Sequence, residues 1–472
     1  MPNSNNAQNS GHNPNPFDFV SFSDCSSTYE LSELKNCSPL KSGYITVGMR
    51  VLTPVHIIGR QDPFREREGI KIFKSHFYEQ DGSPCIPGSS VKGMLRAFME
   101  AVTNGWVSQA NDEYPKTEGG RNTRHIKFAS WESREHVHGC IGNTSFTSPP
   151  AIPDSYKPSP DDRMDIASYL FGYVDESTDR SRAGRIIIED AYVKKENLLD
   201  CQMVDIDGNS IMGGPRPRAN WWYMRPREVW LRNVRFGGRK GEGNVAHFVG
   251  DRFWGRKFYY HQNPKKCIEY YNKYRNIYTY AVSCMSLNIT APFRIYFDRV
   301  PEKLLKLFCT CLCMPTRSRM RHKLGFGKAF GYGSVKFTIT SAKLRTEKTA
   351  DFPDTLSAVD ENSLVKAWTD AEIKKFIDMP SLKKLAQMLT YAPEDKILFT
   401  YPPFDNPNFK KVIQASEFND KTDRSLSSPV MSVDDPSARD IAQKLSDVKR
   451  PIHFQVYQES AEGYEKIQKR GI

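Results

Sequence analysis

The sequence predicts an α+β chain: a ferredoxin-like, RRM-like core carrying large insertions and a C-terminal extension. Three observations carry this. Residues 43–51 alternate in hydropathy with the period of a strand. A helix with one apolar face follows the Pro87-Gly88 turn. Between residues 278 and 337 come further strand, a helix, a glycine-rich loop and a last strand. That order of elements is the ferredoxin-like one. The expected division is an arm over 1–41, taken as disordered, then a core over 42–345 with insertions at about 105–163 and 205–276. Residues 346–472 follow as an extension with a flexible tail.

Bulk composition narrows the function classes. A chain of 472 residues can bury a large core and still carry extensions. No apolar run approaches the roughly 18 residues that span a bilayer, so no membrane partner is expected. The Asn-, Ser- and Pro-rich start has neither the charged nor the apolar region of a signal peptide. Ten cysteines without framework spacing suit a reducing cytoplasm. The net charge of +12 favours a polyanionic partner without separating RNA, DNA and acidic protein.

Taken in order, residues 1–16 hold six asparagines and little to bury. Asn15-Pro16-Phe17-Asp18-Phe19-Val20 brings the first apolar side chains, an arm for the main domain. The strand at 43–51 ends in Leu52-Thr53-Pro54-Val55-His56-Ile57-Ile58-Gly59, where His56 serves either RNA or a strand-end hydrogen bond. Residues 60–83 are a charged connection. In Pro84-Cys85-Ile86-Pro87-Gly88-Ser89-Ser90-Val91-Lys92-Gly93-Met94-Leu95-Arg96 the prolines hold an extended approach and Gly88 allows a turn. Ser89 or Ser90 is expected to cap the helix. Free N–H groups, cap hydroxyls, Lys92 and Arg96 then make an anion site, or simply a capped helix.

Asn104-Gly105 closes that helix, and an irregular insertion follows. His136, His138 and Cys140, with His125 upstream, are ligand-type residues, but nothing supplies a zinc tetrad, and no metal is expected. Leu170-Phe171-Gly172 ends a short helix, and Gly184-Arg185-Ile186-Ile187-Ile188-Glu189-Asp190-Ala191 holds a buried strand. Residues 213–275 carry fifteen Lys or Arg against four Asp or Glu, nearly the whole charge surplus, interleaved with fourteen aromatics. Cations for phosphates beside rings for bases are what single-stranded RNA requires; the plain alternative is an aromatic core with a solvated basic face. Arg225, Arg227, Arg256, Lys257, Tyr259 and Tyr260 are the candidates there. Leu324-Gly325-Phe326-Gly327-Lys328-Ala329-Phe330-Gly331-Tyr332-Gly333-Ser334 is neither a dinucleotide fingerprint nor a P-loop.

Three of these stretches, in this order, resemble the RAMP superfamily, which includes the RNA-binding backbone proteins of type III CRISPR effectors. They are the Ile86-to-Arg96 turn and helix, the Leu-Phe-Gly with the isoleucine strand, and the glycine loop, and the likeness covers about Gly43 to Ser341. The Gly255-to-His261 run with the Phe17 arm is similar to one larger branch of that family. The resemblance implies that Ser89, Ser90, Lys92 and Arg96 lie against a guide RNA backbone. It implies that Gly325, Gly327, Gly331 and Gly333 let RNA approach, Lys328 adding charge. It further implies that Asp190 is structural and that partners are guide RNA, complementary target RNA and other CRISPR effector subunits.

The family's cleaving members place an aspartate about fifteen residues before the turn, where this chain has Lys71 and Ile72. Asp62 is the nearest aspartate. The expectation is therefore an RNA-binding subunit without a cofactor, a divalent metal entering only if Asp62 supports cleavage. An endoribonuclease of the same fold and a protein scaffold in a defence complex are the rival readings.

Overall fold

Strand β1 (Leu40–Val51) sorts its side chains as the alternation predicts: Ile45, Val47, Met49 and Val51 are fully buried, while Arg50 is exposed. Helix α1 (Gly88–Val102) buries Val91, Leu95, Phe98, Met99 and Val102 against the same side of the sheet. Strands β2 (Ile186–Ile188) and β3 (Thr290–Pro301), helix α2 (Glu302–Cys313) and strand β4 (Ser334–Arg345) complete the core. The structure is a computed structural model that describes residues 16–400 apart from internal stretches. The longest of these are 112–124, 129–134, 139–152, 207–223, 236–241 and 346–355. Along the strands within 65–72, 110–138, 204–253 and 277–281 the backbone alone is described.

The sheet runs β2-β3-β1-β4, every neighbour antiparallel, with His322–Lys323 and Leu356–Val359 both pairing with β4. Each helix thus connects two parallel strands with a third between them, the split βαβ arrangement of the ferredoxin-like fold. Both helices lie on one face. On the other, Thr290, Arg294, Thr338 and Lys343 are exposed and Tyr44, Thr46 and Tyr296 half-exposed.

Register gathers the sequence motifs at one end of this sheet. Val51 pairs with Val335, and Arg50 with Thr290. Ile188 pairs with Ile295, so the segment that follows β2 leaves toward that end. There Ala191 and Tyr192 pair with Ile86 and Cys85, just ahead of α1. A second sheet, in the order Leu198–Ile206, Ile277–Met285, Lys74–Phe77, Ile58–Gln61, grows from the same loops. Within the basic segment, Met224–Arg235 and Glu242–Phe253 form an antiparallel hairpin.

Two expectations about the periphery change. Part of the arm is built into the fold: Phe17–Ser21 pairs antiparallel with Gly255–Tyr259, and Leu31–Asn36 is a helix. Phe17, Phe19 and Val20 are buried there, so the apolar residues win over the polar start. The extension likewise belongs to the core as far as residue 400. Helix Met379–Leu389 is capped by Asp378, whose carboxylate accepts from Ser381 N at 3.0 Å. It buries Leu382, Leu385, Ala386, Met388 and Leu389 against α1 and the arm.

Beneath α1 lies a closed set of ionisable side chains, in which burial pushes the Asp165 carboxyl above its ordinary range. Arg96, Glu100, Asp165 and Arg256 are all buried. Burial works against both guanidinium charges, and the carboxylates of Glu100 and Asp165 work for both. Arg96 donates to Gly172 O at 2.6 Å, and Arg256 to Gly105 O. Asp165 accepts from Ala167 N at 3.0 Å and caps the short helix Ile166–Phe171. Removing one member strands its partners in low dielectric, which costs about 3–5 kcal/mol. Arg256→Met is expected to lower unfolding free energy by about that amount in urea titration.

Two buried histidines set the pH response. His56 and His322 are held neutral, burial lowering each pKa from 6.5 to about 4. Between those values the unfolded chain binds more protons than the folded one, so stability rises with pH across the window and levels off above it. Thermal melts from pH 4.5 to 8 are expected to follow this curve, and His322→Gln to flatten it.

Candidate nucleic-acid interface

The start of α1 is built by its neighbours. Gly88 packs so close to β2 that a Cβ there would lie 2.0 Å from Ile188 O. Pro87 occupies the cap position and no side chain caps the helix; Gly88 N instead donates to Asp190 Oδ1 at 2.7 Å. Ser89 and Ser90 are therefore first-turn residues rather than caps. The chain's own Asp190 takes the N–H that a phosphate was expected to use, which is the structural role the sequence reading left to it.

What remains open is a strip on the first two turns. Ser89 is exposed, and Ser90, Lys92 and Gly93 are half-exposed. Helical geometry sets Ser89, Lys92, Gly93 and Arg96 along one stripe. Partial burial, then the charge of Arg96, push the Lys92 ammonium below the usual lysine range, and no carboxylate among the described residues offsets them. Gly93 is the residue that sequence reasoning passed over. A Cβ at Gly93 would meet nothing within 4 Å, so no neighbour among the described residues demands a glycine there. A glycine amid good helix formers costs the helix about 0.5–1 kcal/mol, and that mismatch was visible in the sequence.

Four expected RNA contacts turn inward instead. Arg96 and Arg256 belong to the charge cluster under α1. Arg256 also lies 5.1 Å from the Phe22 ring and 5.3 Å from that of Tyr156. Tyr260 is buried and stacks on Phe399 at 4.4 Å, where an RNA base was expected. His56 is fully buried. The Ser283 carbonyl, 2.7 Å away, fixes its proton on Nδ1, and Nε2 accepts from Ser75 Oγ at 2.9 Å. Its strand-end hydrogen-bonding alternative is the one realised. Lys257 and Tyr259 stay half-exposed, with the Lys257 ammonium 4.3 Å from Phe17 and 4.8 Å from Tyr259.

The glycine loop is also an internal device. Gly325, Gly327, Gly331 and Gly333 all have positive φ. A Cβ at Gly325 would come within 2.3 Å of His56 O, and one at Gly333 within 2.0 Å of Leu324 O. Protein backbone fills the space that RNA was expected to fill. The loop is clamped by the Leu52–Gly59 segment: Thr53 Oγ1 donates to Gly331 O at 2.7 Å and accepts from Ser334 N at 2.8 Å. Phe326 N donates to His56 O, and Gly333 N to Pro54 O, each at 2.8 Å. Buried Lys323 donates to the carbonyls of Lys328 and Tyr332 at 3.1 and 3.0 Å. Lys328, half-exposed, is the loop's charged group toward solvent.

Asp62 follows strand Ile58–Gln61 of the second sheet, Oδ2 lying 3.0 Å from His76 Nε2 and Oδ1 3.5 Å from Arg60. Arg225 and Arg227 fall on the hairpin strand whose side chains lie outside the described residues. The same holds for His125, His136 and His138, and Cys140 lies wholly outside them. Among the described residues no group of three or more His, Cys, Asp and Glu could hold a metal, and no helix is long and apolar enough to cross a membrane.

Two comparisons bear on this arrangement. No curated protein matches the sequence. A family profile described as the RAMP superfamily matches residues 49–336, more than half of the chain. That span runs from within β1 into β4 and so takes in α1, β2, β3, α2 and the glycine loop. Ferredoxin-like topology, the clamped loop and the profile agree: the chain belongs to the RAMP superfamily, whose members generally bind RNA and act in CRISPR complexes.

Proposed function

We propose that this protein holds guide RNA in a type III-like CRISPR effector complex, positions complementary target RNA there and contacts other effector subunits, without cutting RNA itself. The observation that carries this reading is the strip Ser89-Ser90-Lys92-Gly93. It offers two hydroxyls, a cation without a carboxylate partner among the described residues, and a bare patch of helix where a sugar-phosphate chain gains its closest approach. Lys328 and the Asp190-capped turn belong to the same end of the sheet, so one strand of RNA can meet several elements of the fold.

Gly93→Ala separates a ligand role from a packing role. It is expected to raise unfolding free energy by about 0.5–1 kcal/mol, because alanine is the better helix former. It is expected at the same time to weaken RNA binding, because a methyl group stands where the backbone would pass. Stabilisation with unchanged affinity, measured by filter binding, defeats the proposal. Lys92→Glu with Ser89→Asp is expected to strip RNA from the purified protein. In salt titration each lost phosphate contact should lower the slope by about 0.7.

A second reading, endoribonuclease, draws on the 3.0 Å approach of Asp62 to His76. One Asp62 oxygen faces the Arg60 guanidinium and the other the His76 imidazole, and both contacts compete with a divalent metal at that carboxylate. The expected outcome is no product from labelled complementary RNA with magnesium or manganese. A product band that Asp62→Ala abolishes would establish the enzyme instead.

A further inference from the structure

The face of the core sheet opposite α1 and α2 has a composition of its own. Across one rung stand Ile187, Tyr296, Tyr44 and Lys343 in register, and across a second stand Thr290, Arg50 and Lys336. Arg294 lies between them, opposite Thr46. The rungs are six residues apart on β1, which is about 20 Å. Arg50, Arg294 and Lys343 are exposed, and Lys336, Tyr44 and Tyr296 half-exposed. Lys336 and Lys343 have no ion-pair partner among the described residues.

The aromatic part is pre-set. Tyr44 and Tyr296 approach to 5.7 Å, and the Arg294 guanidinium lies 5.2 Å over the Tyr44 ring. Tyr296 Oη donates to Glu189 at 2.7 Å, which fixes its ring, and Arg50 donates to Asn288 at 2.9 Å. The acids nearby are Glu189 at the edge and Asp298, the latter accepting from Ser42 at 2.8 Å. A protein-binding patch concentrates apolar side chains and sheds charge at its centre. Here Ile187 is the one large aliphatic side chain on the two rungs, Arg294 and Lys343 adjoin the two rings, and Arg50 and Lys336 stand on the other rung. Flat rings and guanidinium planes beside free cations match unstacked bases and phosphates.

We propose that this sheet face is a second platform for single-stranded RNA, distinct from the α1 strip, with bases on Tyr44, Tyr296 and Arg294 and phosphates on Arg50, Lys336 and Lys343. The ligand class rests on the RNA-binding reading above; the surface does not. The test uses the full chain and a fluorescein-labelled single-stranded RNA of mixed sequence, about 20 nucleotides long. Tyr44→Leu with Tyr296→Leu keeps strand-compatible bulk and removes the rings; Tyr44→Phe with Tyr296→Phe keeps them. Fold is checked by thermal melt. The leucine pair is expected to weaken binding about tenfold or more, the size of at least one stacked base, and the phenylalanine pair to bind as wild type. Lys92→Glu with Ser89→Asp, run in parallel, should weaken binding additively.

Unchanged affinity in the leucine pair, with loss in the helix variant, overturns the platform and leaves the α1 reading standing. Loss in the leucine pair alone supports the platform and defeats the α1 reading. Leucine variants that keep RNA and shed a co-purifying protein overturn the platform in favour of a protein interface. A wild-type chain that binds no RNA overturns both.

Discussion

Four ionisable side chains sealed beneath one helix hold this fold to its shape. Arg96 and Glu100 come from α1, Asp165 from the turn into a short helix, and Arg256 from the strand that pairs with the arm. None can be left alone in a low dielectric, so segments far apart in sequence must arrive together. The result is a buried bed under α1, from the turn that follows the Ser89-to-Gly93 strip. Cation–π contacts of Arg256 with Phe22 and Tyr156 tie the arm and the first insertion into the same bed.

The split βαβ topology does the complementary task of collecting short motifs. Because α1 and the loop before β4 both lie at the Val51 end of the sheet, Leu52–Gly59, Pro84–Gly88, Asp190–Tyr192 and Leu324–Gly333 meet without any long excursion. The backbone there is mostly self-satisfied: Asp190 serves Gly88, Thr53 serves Gly331 and Ser334, and Lys323 serves two loop carbonyls. Few polar groups are left to be distorted by a ligand, and those presented outward are presented on a fixed frame. Preorganisation of this kind lowers the ordering cost of binding.

Much of the fold was legible because its signals are local. The alternation through Ile45, Val47, Met49 and Val51, the Pro-Gly start of α1 and the glycine loop each stand within a dozen residues. Roles of single side chains were harder. A glycine needed for a close approach looks the same whether the neighbour is RNA or, as at Gly325, the His56 carbonyl. An arginine on a helix reads as exposed until its carboxylate partners are known, and Glu100 and Asp165 declare themselves only in three dimensions. Pairing of the arm with Gly255–Tyr259 left no local trace, and neither did the docking of Met379–Leu389. Conversely, Gly93 was in plain view and lacked only the knowledge that nothing packs on it.

That arm pairing has a consequence for how the chain is made. Phe17 finds Tyr259 across about 240 intervening residues, so an early strand must wait for a late one. At about 5–20 residues per second, the wait on the ribosome is roughly 10–50 s. Throughout it Phe17, Phe19 and Val20, buried in the finished protein, lack the strand that they pair with. The arm is thus covered only once Gly255–Tyr259 and then Met379–Leu389 have emerged, long after most of the core it joins.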